Sequence, residues 1–276
     1  MNAQELSPER PGRVPPAIDT SVAHPARRYD YWLGGKDNFA ADRESGDAIA
    51  AKFPAIRTAV VENRRFLRRA VSLLAGEAGV RQFLDVGTGL PTANNTHEVA
   101  QSIAPDSRIV YVDNDPLVLV HARALLTGSG TGATAYVDAD LREPEKILDS
   151  PELRHTLDLN EPVALMLLAI LHFIPEEDDP YAIVRRLAGA LPSGSYLVVS
   201  HATSDYLPPD LVADISSGRH GQGRLRTRDE VSRFFAGLEL VEPGVVPLAE
   251  WRAEDEPGPR PAAEETAMYA GVARIP

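Results

Sequence analysis

The sequence predicts an α/β fold built on a doubly wound, mostly parallel sheet. Apolar runs alternate with helical patterns from residue 81 to residue 201, an order typical of parallel strands joined by helices. The fourth run, residues 163–171, is almost wholly apolar, as expected for a strand buried on both faces. The first run ends in an acidic residue and a glycine turn, residues 85–89 (DVGTG), and such sheets bind ligands at this edge.

Composition narrows the class of protein. The chain has 276 residues, of which 43% are hydrophobic, enough for one large domain with a full core. Its net charge of -12 disfavours a broad nucleic-acid-binding surface. The absence of cysteine excludes disulfides, thiol nucleophiles and cysteine-ligated metals. No apolar run is long enough to span a bilayer and no signal peptide is visible, so we expect a soluble cytoplasmic protein without a membrane partner.

The chain is expected to have three parts. Residues 1–17 are rich in proline, which predicts a disordered or loosely draped tail. Residues 18–80 are expected to form an N-terminal arm and a helical cap, with helices at Ala40–Lys52 and Ala59–Ala78. Residues 81–276 are expected to form the ligand-binding core.

The core pattern predicts seven strands, of which the last two pair as an antiparallel hairpin. The predicted strands are Gln82–Val86, Arg108–Asp113, Thr134–Asp138, Val163–Leu171, Tyr196–His201, Glu239–Val246 and Thr266–Ala273. The predicted helices are Thr92–Ala104, Pro116–Leu126, Pro144–Leu148, Pro180–Ala190, Asp205–Ser217 and Arg228–Ala236.

The glycine turn differs from the dinucleotide-binding fingerprint. Gly87, Thr88 and Gly89 match its beginning, but Thr92 stands where the third glycine is expected. That glycine lets the helix pack closely against the strand beneath a pyrophosphate. Its absence, together with an acidic Asp85 placed to meet a positive group, favours a ligand that carries an ammonium. S-adenosylmethionine (SAM) is such a ligand.

The second strand ends in an acidic cluster. Asp113 stands at its tip, followed by Asn114 and Asp115. A carboxylate in this position accepts hydrogen bonds from both ribose hydroxyls of an adenosine ligand. Asp115 directly precedes Pro116, which makes it the better candidate to cap the next helix. Turn residues without a ligand role are the alternative.

The tip of the third strand has two interpretations. Asp140 and the neighbouring Leu141 could meet the adenine ring, with the carboxylate accepting from its amino group. Asp140 and Glu143 also match a capping box, S/T/D/N-x-x-E, at a helix N-terminus. The sequence leaves both interpretations open.

The end of the fourth strand is where the reacting end of the cofactor would face a substrate. Ala169 begins this segment, and His172 is a candidate general base because imidazole titrates near neutrality. A structural histidine is the alternative, and His201 has a similar position at the end of the fifth strand.

The acidic run at residues 176–179 is interpreted as the solvated start of a helix, and no metal site is expected.

Two further groups of residues are candidates for contact with the cofactor. One of Arg64 or Arg65 could pair with its carboxylate, and Arg65 is the candidate we adopt. Tyr29, with Tyr31 and Trp32, could place aromatic faces near a sulfonium, or the three could simply anchor the arm. The double glycine and polar residues at 34–38 favour a functional role for this segment. Arg219–Arg228 is interpreted as a solvated loop, with a lid over an acidic substrate as the alternative.

Several stretches together resemble a family of actinobacterial SAM-dependent methyltransferases formerly filed as a domain of unknown function. They are ARRYDYWLGGKDNF, ENRRFLRRAV, QFLDVGTGLPT, YVDNDP, DADLREP, LHFIPEEDDP and RTRDEVSRFFAGLELVEPG. The resemblance implies a class I methyltransferase fold, Rossmann-like, with a seven-stranded sheet. It also implies Asp85, Gly87 and Gly89 beside the methionine part, Asp113 on the ribose, and Asp140 with Leu141 by the adenine.

The sequence thus predicts a SAM-dependent methyltransferase that acts on an oxygen or nitrogen of a small molecule. An NAD(P)-dependent oxidoreductase is the first alternative, which the missing third glycine disfavours. A SAM-binding sensor or partner protein without catalysis is the second alternative. The sequence predicts neither the methyl acceptor nor the oligomeric state.

Overall fold

An eight-stranded sheet forms the centre of the fold in the computed structural model, which describes residues 18–125, 132–217, 223–254 and 256–276. The predicted N-terminal tail and Arg219 lie outside these ranges. The strands are β1 (Gln82–Val86), β2 (Arg108–Asp113), β3 (Ala133–Asp138), β4 (Val163–Leu168), β5 (Tyr196–Ala202), β6 (Glu239–Leu240), β7 (Val246–Pro247) and β8 (Met268–Arg274).

The strand order confirms a doubly wound, mostly parallel sheet. The order is β3-β2-β1-β4-β5-β8-β6, with β7 also paired to β8. Strands β1 to β5 are mutually parallel, whereas β8 runs antiparallel to β5 and both short strands run antiparallel to β8. The sheet reverses direction between β1 and β4, which is the place where such folds bind ligands.

One predicted strand is divided in two. The segment expected as a single strand from Glu239 to Val246 forms β6 and β7, separated by a turn in which the Gly244 N–H donates to the Val241 carbonyl. Pro243 lies in this turn and lacks the N–H that a continuous ladder would need. The sheet therefore has eight strands by this count instead of the predicted seven.

The helices agree with the predicted order, with shifts at their ends. Three were not predicted, α1, α7 and α11, and the helix expected from Thr92 begins only at Thr96. The helices are α1 (Pro25–Trp32), α2 (Ala40–Lys52), α3 (Ile56–Ser72), α4 (Thr96–Ile103), α5 (Pro116–Leu125), α6 (Pro144–Leu148), α7 (Pro151–Thr156), α8 (Pro180–Ala188), α9 (Pro209–Ser216), α10 (Arg228–Ser232) and α11 (Ala263–Thr266). A π-helical turn, Leu73–Glu77, extends α3.

The sheet separates two apolar layers. Alternate residues of β1 face opposite sides, so Leu84 belongs to one layer and Phe83 to the other. The first layer includes the buried side chains of α8 and the segment around Phe234. The second includes Phe66 and other buried residues of α3, together with Trp251. Because α3 belongs to this layer, the predicted cap shares its core with the sheet.

None of the helices in the described ranges combines the length and apolar character that crossing a bilayer requires.

The carboxyl ends of β1, β2 and β4 meet below α1, α2 and α3, where one large cavity opens.

Candidate active site

The glycine turn after β1 is hydrogen-bonded to the end of β2. Gly87 has φ +75° and its N–H donates to the Val112 carbonyl at 2.8 Å. Gly89 has φ +67° and its N–H donates to Asp113 Oδ2 at 2.8 Å. A Cβ on Gly87 would lie 2.5 Å from Ile170 Cγ1. Glycine is therefore required both by the backbone conformation and by the close approach of the segment after β4.

Asp113 is a buried carboxylate held by backbone donors. Its Oδ1 accepts from the N–H of Asp115 at 2.9 Å, and its Oδ2 accepts from Gly89. Burial raises its pKa, while these two N–H groups partly offset the rise. Each oxygen keeps a second lone pair for a hydroxyl donor, which suits the predicted contact with a ribose.

Asp85 is the second buried acid of the cavity. It is 4% exposed, and its Oδ2 accepts from the Thr96 hydroxyl at 2.6 Å. Burial raises its pKa to about 6, against the opposing effect of the Thr96 hydrogen bond and the positive charge of Arg64. A cationic ligand group next to Asp85 would stabilise the ionised carboxylate.

Arg64, and not the adopted Arg65, lines the cavity. The side chain of Arg65 is 49% exposed and pairs with Glu62, one turn earlier on the same helix. Arg64 reaches over the glycine turn, and its Nη2 donates to the carbonyls of Ala93 and Asn94 at 3.2 and 2.9 Å. Consecutive helix residues point about 100° apart, so only one of the two arginines faces the cavity.

Two buried donors of this region have no partner within the structure. They are Arg64 Nε and the Thr92 hydroxyl, and both residues line the cavity. Buried polar groups are normally hydrogen-bonded, so a pair of orphaned donors suits the carboxylate of an amino-acid ligand. The sequence indicates Thr92 only as the residue that replaces the third glycine, and this replacement is its one signal for the position.

The tip of β3 forms a local network instead of a helix cap. Asp140 accepts from the backbone and guanidinium of Arg142, and from the Asn114 amide at 2.9 Å. Hydrogen bonds from Arg142 lower its pKa. Glu143, not Asp140, directly precedes α6, so the capping-box interpretation is wrong. Asn114, Asp140 and the buried Leu141 all line the cavity.

The segment after β4 begins with a residue whose backbone conformation is unfavourable. Ala169 has φ +51°, which is unfavourable for a residue with a side chain. Its N–H donates to the Ser200 hydroxyl at 3.0 Å. Ser200 donates in turn to Asn63 at 2.6 Å, and Asn63 donates to the Tyr29 hydroxyl at 3.0 Å. These three hydrogen bonds link the N-terminal arm and α3 to the turn after β4. Backbone strain of the kind found at Ala169 often accompanies a functional site.

His172 faces the cavity from the same segment. It lines the wall, is half-buried, and its Nδ1 has no hydrogen-bond partner. Burial and the positive charges of Arg226 and Arg28 lower its pKa to about 3. The imidazole is therefore neutral at physiological pH and a weak acceptor of protons.

His201 is placed differently. It is fully buried and does not line the cavity. Its Nε2 lies 2.9 Å from Arg226 Nη1, and its Nδ1 lies 2.6 Å from the carbonyl of Ala202. A guanidinium only donates, so Nε2 is the acceptor and Nδ1 carries the proton. The structural interpretation fits His201.

Arg226 departs from the solvated-loop prediction for its segment. It is 0% exposed and donates to the carbonyls of Leu171 and Ile174 and to Glu176. These bonds hold the segment after β4 against β5. Glu176 is therefore an ion-pair partner, whereas Asp179 caps α8 by accepting from the Ala182 N–H at 2.9 Å.

The aromatic residues of the arm fall into two groups, one that lines the cavity and one that anchors the arm. Tyr29 and Trp32 line the cavity, whereas Tyr31 donates to Asp47 of α2 at 2.7 Å. The double-glycine segment folds around Asp30, which accepts from the Asp37 N–H and the Asn38 amide. A structural turn thus accounts for that segment, contrary to the functional role favoured from the sequence.

The cavity has a volume of about 550 Å³, a size usual for small-molecule and cofactor sites. Its wall includes, among the predicted residues, Tyr29, Asp85, Gly87, Thr88, Gly89, Asp113, Asn114, Asp140, Leu141, Ala169 and His172. Within the described ranges, no three His, Asp or Glu side chains gather as metal ligands would. The carboxylate of Asp113 fits the ribose of SAM, and the glycine turn allows a ligand to approach the backbone closely. The two donors without partners, on Arg64 and Thr92, fit the carboxylate of SAM.

Comparison with known structures finds close relatives in actinobacteria. A DUF574 family protein from Streptomyces avermitilis is 50% identical, with a TM-score of 0.87 over 94% of this chain and 100% of that chain. A proposed methyltransferase from Thermobifida fusca is 45% identical, with a TM-score of 0.87 over 94% of this chain and 97% of that one. Both bear out the family resemblance seen in the sequence.

A more distant structure supports the fold. Magnesium protoporphyrin IX methyltransferase from Synechocystis, with S-adenosylhomocysteine (SAH) bound, is 14% identical, with a TM-score of 0.51 over 89% of this chain and 91% of that chain. A comparison with curated proteins finds no match.

The family model decides between the alternatives. The model described as S-adenosyl methyltransferase matches residues 11–276. The cofactor is therefore SAM, and the oxidoreductase alternative is not supported. The chain belongs to the S-adenosyl methyltransferase family and is a SAM-dependent methyltransferase.

Proposed function

We propose that the protein transfers the methyl group of SAM to an oxygen or nitrogen atom of a small molecule. The supporting observation is the continuity of the cavity, which joins the glycine turn at the sheet edge to walls from α2, α3 and α9. A cofactor and a second small molecule can thus share one cavity. The net charge of -12 argues against a nucleic-acid substrate.

The cofactor half of the proposal assigns one role to each polar group. Asp113 accepts from the ribose hydroxyls, and Asp85 meets the ammonium. The turn from Gly87 through Thr88 to Gly89 allows close approach of the methionine part. Arg64 and Thr92 donate to the carboxylate through the two atoms that lack partners.

The remaining residues lie along the rest of the ligand. Leu141 covers the adenine with Asp140 and Asn114 at its polar edge, and all three line the cavity. Ala169 and Tyr29 bound the reacting end.

The main contribution of the protein to methyl transfer is to align the acceptor with the methyl group. SAM supplies an activated methyl group, so the residues around it align the acceptor and exclude water. His172 is the candidate catalytic residue on the acceptor side. Its pKa of about 3 suits a hydrogen-bond acceptor that orients the substrate, in place of the general base expected from the sequence.

The test is calorimetric titration with SAH and NADH of the wild type, Asp113→Ala and a matched control, Asp138→Ala. Asp138 ends the neighbouring strand but does not line the cavity. We expect SAH to bind the wild type and the control, and to bind Asp113→Ala about ten- to a hundredfold more weakly, since hydrogen bonds to a charged group are lost. NADH is expected not to bind.

The contrary outcomes separate the alternatives. Failure of the folded wild type to bind SAH would refute the cofactor assignment. Binding of SAH without methyl transfer to any small-molecule acceptor would favour the sensor alternative. Equal weakening by both substitutions would mean that Asp113 has no specific role.

A further inference from the structure

One part of the cavity wall is strongly apolar and comes from elements other than the glycine turn. It is built by the cap, by α9 and by the chain just before α10. The apolar residues that define it are Ile49, Phe53, Ile56, Leu211, Ile215 and Leu225. Lys52 of α2 and Asp214 of α9 form an ion pair that joins the two helices of this wall. We call this region the acceptor chamber, and its surface suits a molecule with an apolar body.

The polar end of the acceptor chamber carries positive charge. His172 and Arg28 both line the cavity. Arg28 is 6% exposed, and its Nη1 donates to the Ser45 hydroxyl at 3.1 Å. Arg226 lies behind His172, where it donates to the carbonyl of the preceding residue, Leu171. The guanidinium groups of Arg28 and Arg226 therefore both act on one neutral imidazole, and the carboxylates of Asp42 and Glu176 offset part of their charge.

These charges determine what His172 can do. Burial and the positive charges of Arg226 and Arg28 together lower its pKa to about 3. Taking a proton from an alcohol or an ammonium would put a positive charge on a buried imidazole close to Arg28 and Arg226, which is unfavourable at low dielectric. Arg28, which lines the cavity, would stabilise an anion in the acceptor chamber, whereas Arg226 is already paired with Glu176.

Other acids at the wall of the acceptor chamber are already engaged. Asp30 Oδ2 accepts from the Asp37 N–H and from Asn38, each at 2.9 Å, and a Cβ on Gly35 would collide with its Oδ1. Asp214 pairs with Lys52. Among the described residues of this wall, no carboxylate is placed to serve as a general base for the acceptor.

We propose that the methyl acceptor is an apolar molecule whose reacting atom is an oxygen already ionised at neutral pH, a carboxylate or an acidic phenol or enol, bound near Arg28 and His172. The inference rests on the proposed function and narrows it from oxygen or nitrogen to an ionised oxygen. It dispenses with a catalytic base.

The transfer balances without a proton. A lone pair of the acceptor oxygen forms the new O–CH₃ bond as the bond between the methyl carbon and sulfur breaks, and the electrons of that bond stay on sulfur. The negative charge of the oxygen and the positive charge of the sulfonium cancel. Because charge disappears on the way to products, a water-poor apolar chamber favours the transition state over the separated ions.

The test compares ligands that share one ring system and differ in charge. Protein saturated with SAH is titrated at neutral pH with naphthoate, naphthylmethanol and naphthylmethylamine, alongside one-ring and three-ring carboxylates and phenols acidic enough to be ionised at that pH. We expect the best-fitting anion to bind at least about tenfold more tightly than its neutral or cationic counterpart, as is usual for a charge-assisted contact.

Variants assign the preference to Arg28. Arg28→Met should abolish the preference for the anion, and Arg28→Lys should keep part of it. Arg43→Met is the matched control, since Arg43 lies on α2 but outside the cavity wall. Binding of SAH by each variant shows that it is folded. Incubation of the best anion with SAM should yield a methyl ester or an aryl methyl ether, read by mass.

The outcomes are distinct from those of the cofactor test. If the wild type does not bind SAH, the proposed function itself fails. If SAH binds but neutral or cationic counterparts bind as tightly as the anions, or none of the anions binds, the ionised-acceptor inference is overturned. Retention of the full preference in Arg28→Met overturns it as well.

Discussion

Asp85 and Asp113 place two buried carboxylates at the ends of adjacent strands. Burial raises the pKa of both, and that of Asp85 reaches about 6. Such groups are unfavourable in the free protein, because an ionised carboxylate loses its hydration. A cation and two hydroxyl donors from a ligand would offset this loss. The pair is therefore typical of a binding site and not of a stability element.

The first prediction concerns Asp85→Asn. The folded pKa of about 6 lies above the ordinary value of 3.8, so the contribution of Asp85 to stability is present below pH 3.8 and is lost as pH rises through 6. At pH 7 the ionised group costs up to about 3 kcal/mol. Asp85→Asn should raise the free energy of unfolding at pH 7, have little effect near pH 4, and bind SAH weakly.

Urea unfolding at both pH values and calorimetry with SAH check this prediction. Asp138→Asn, at the exposed tip of β3, is the control and should change neither quantity. A variant that is equally destabilised at pH 4 and pH 7 would contradict the assigned cause.

Residue-level interpretation of the sequence gave the correct position for residues that belong to one short motif. The acidic tips and the glycine turn were placed at the cavity because a strand end and the following turn are set by local pattern. It was wrong for Arg65, because helix periodicity restricts a residue to a face but does not say which face meets the sheet.

At the scale of elements, the turn after β1 and the segment after β4 form one unit. Gly87 has no room for a Cβ beside Ile170, and Ala169 next to it has a positive φ. The two turns belong to neighbouring parallel strands. Each therefore limits the conformation of the other, and together they form part of the cavity wall.

The second prediction is that Gly87→Ala costs more than an otherwise similar substitution, Gly79→Ala. Both glycines have positive φ, but a Cβ on Gly79 would meet nothing within 4 Å. Gly79→Ala should cost about 1–2 kcal/mol from backbone strain alone. Gly87→Ala adds the clash with Ile170, so it should unfold at lower urea concentration and bind SAH more weakly. Equal costs in the two variants would contradict the close-approach argument.

Element boundaries were less predictable than element types. The fourth strand was predicted to reach Leu171 but ends at Leu168, because Ala169 has φ +51° and takes the backbone out of the extended conformation. Apolarity continues past the end of the strand, so the sequence pattern carries no signal for this boundary. The missed helix α1 begins with a proline and carries two arginines, of which Arg27 pairs with Asp115.

At the scale of the whole molecule, the N-terminal arm and α3 are joined to the sheet edge by polar bonds. Asn63 connects Tyr29 to Ser200, and Arg27 donates twice to Asp115 at the tip of β2. Burial raises the pKa of Asp115, but hydrogen bonds from His24 and Arg27 outweigh it and hold the pKa well below its usual range. The arm is thus bound to the ligand-binding edge by contacts distant in sequence.

The third prediction is that Asn63→Ala uncouples the arm from the sheet edge. It leaves the hydroxyls of Ser200 and Tyr29 short of a partner, which should cost about 1–3 kcal/mol of unfolding free energy. The double variant with Ser200→Ala should cost less than the sum of the single changes, because the two residues share a hydrogen bond. Additive costs, measured by urea unfolding, would show that the chain of bonds does not act as a unit.

By itself the sequence determined the alternation of strands and helices, the glycine turn and the acidic tips, because these depend on residues close together in the chain. Tertiary structure decided the rest. It selected Arg64 over Arg65, buried Arg226 against the segment after β4, and brought Arg28 and His172 to one end of the acceptor chamber. Those arrangements depend on how helices and loops from distant parts of the chain pack over the sheet, which local pattern does not specify.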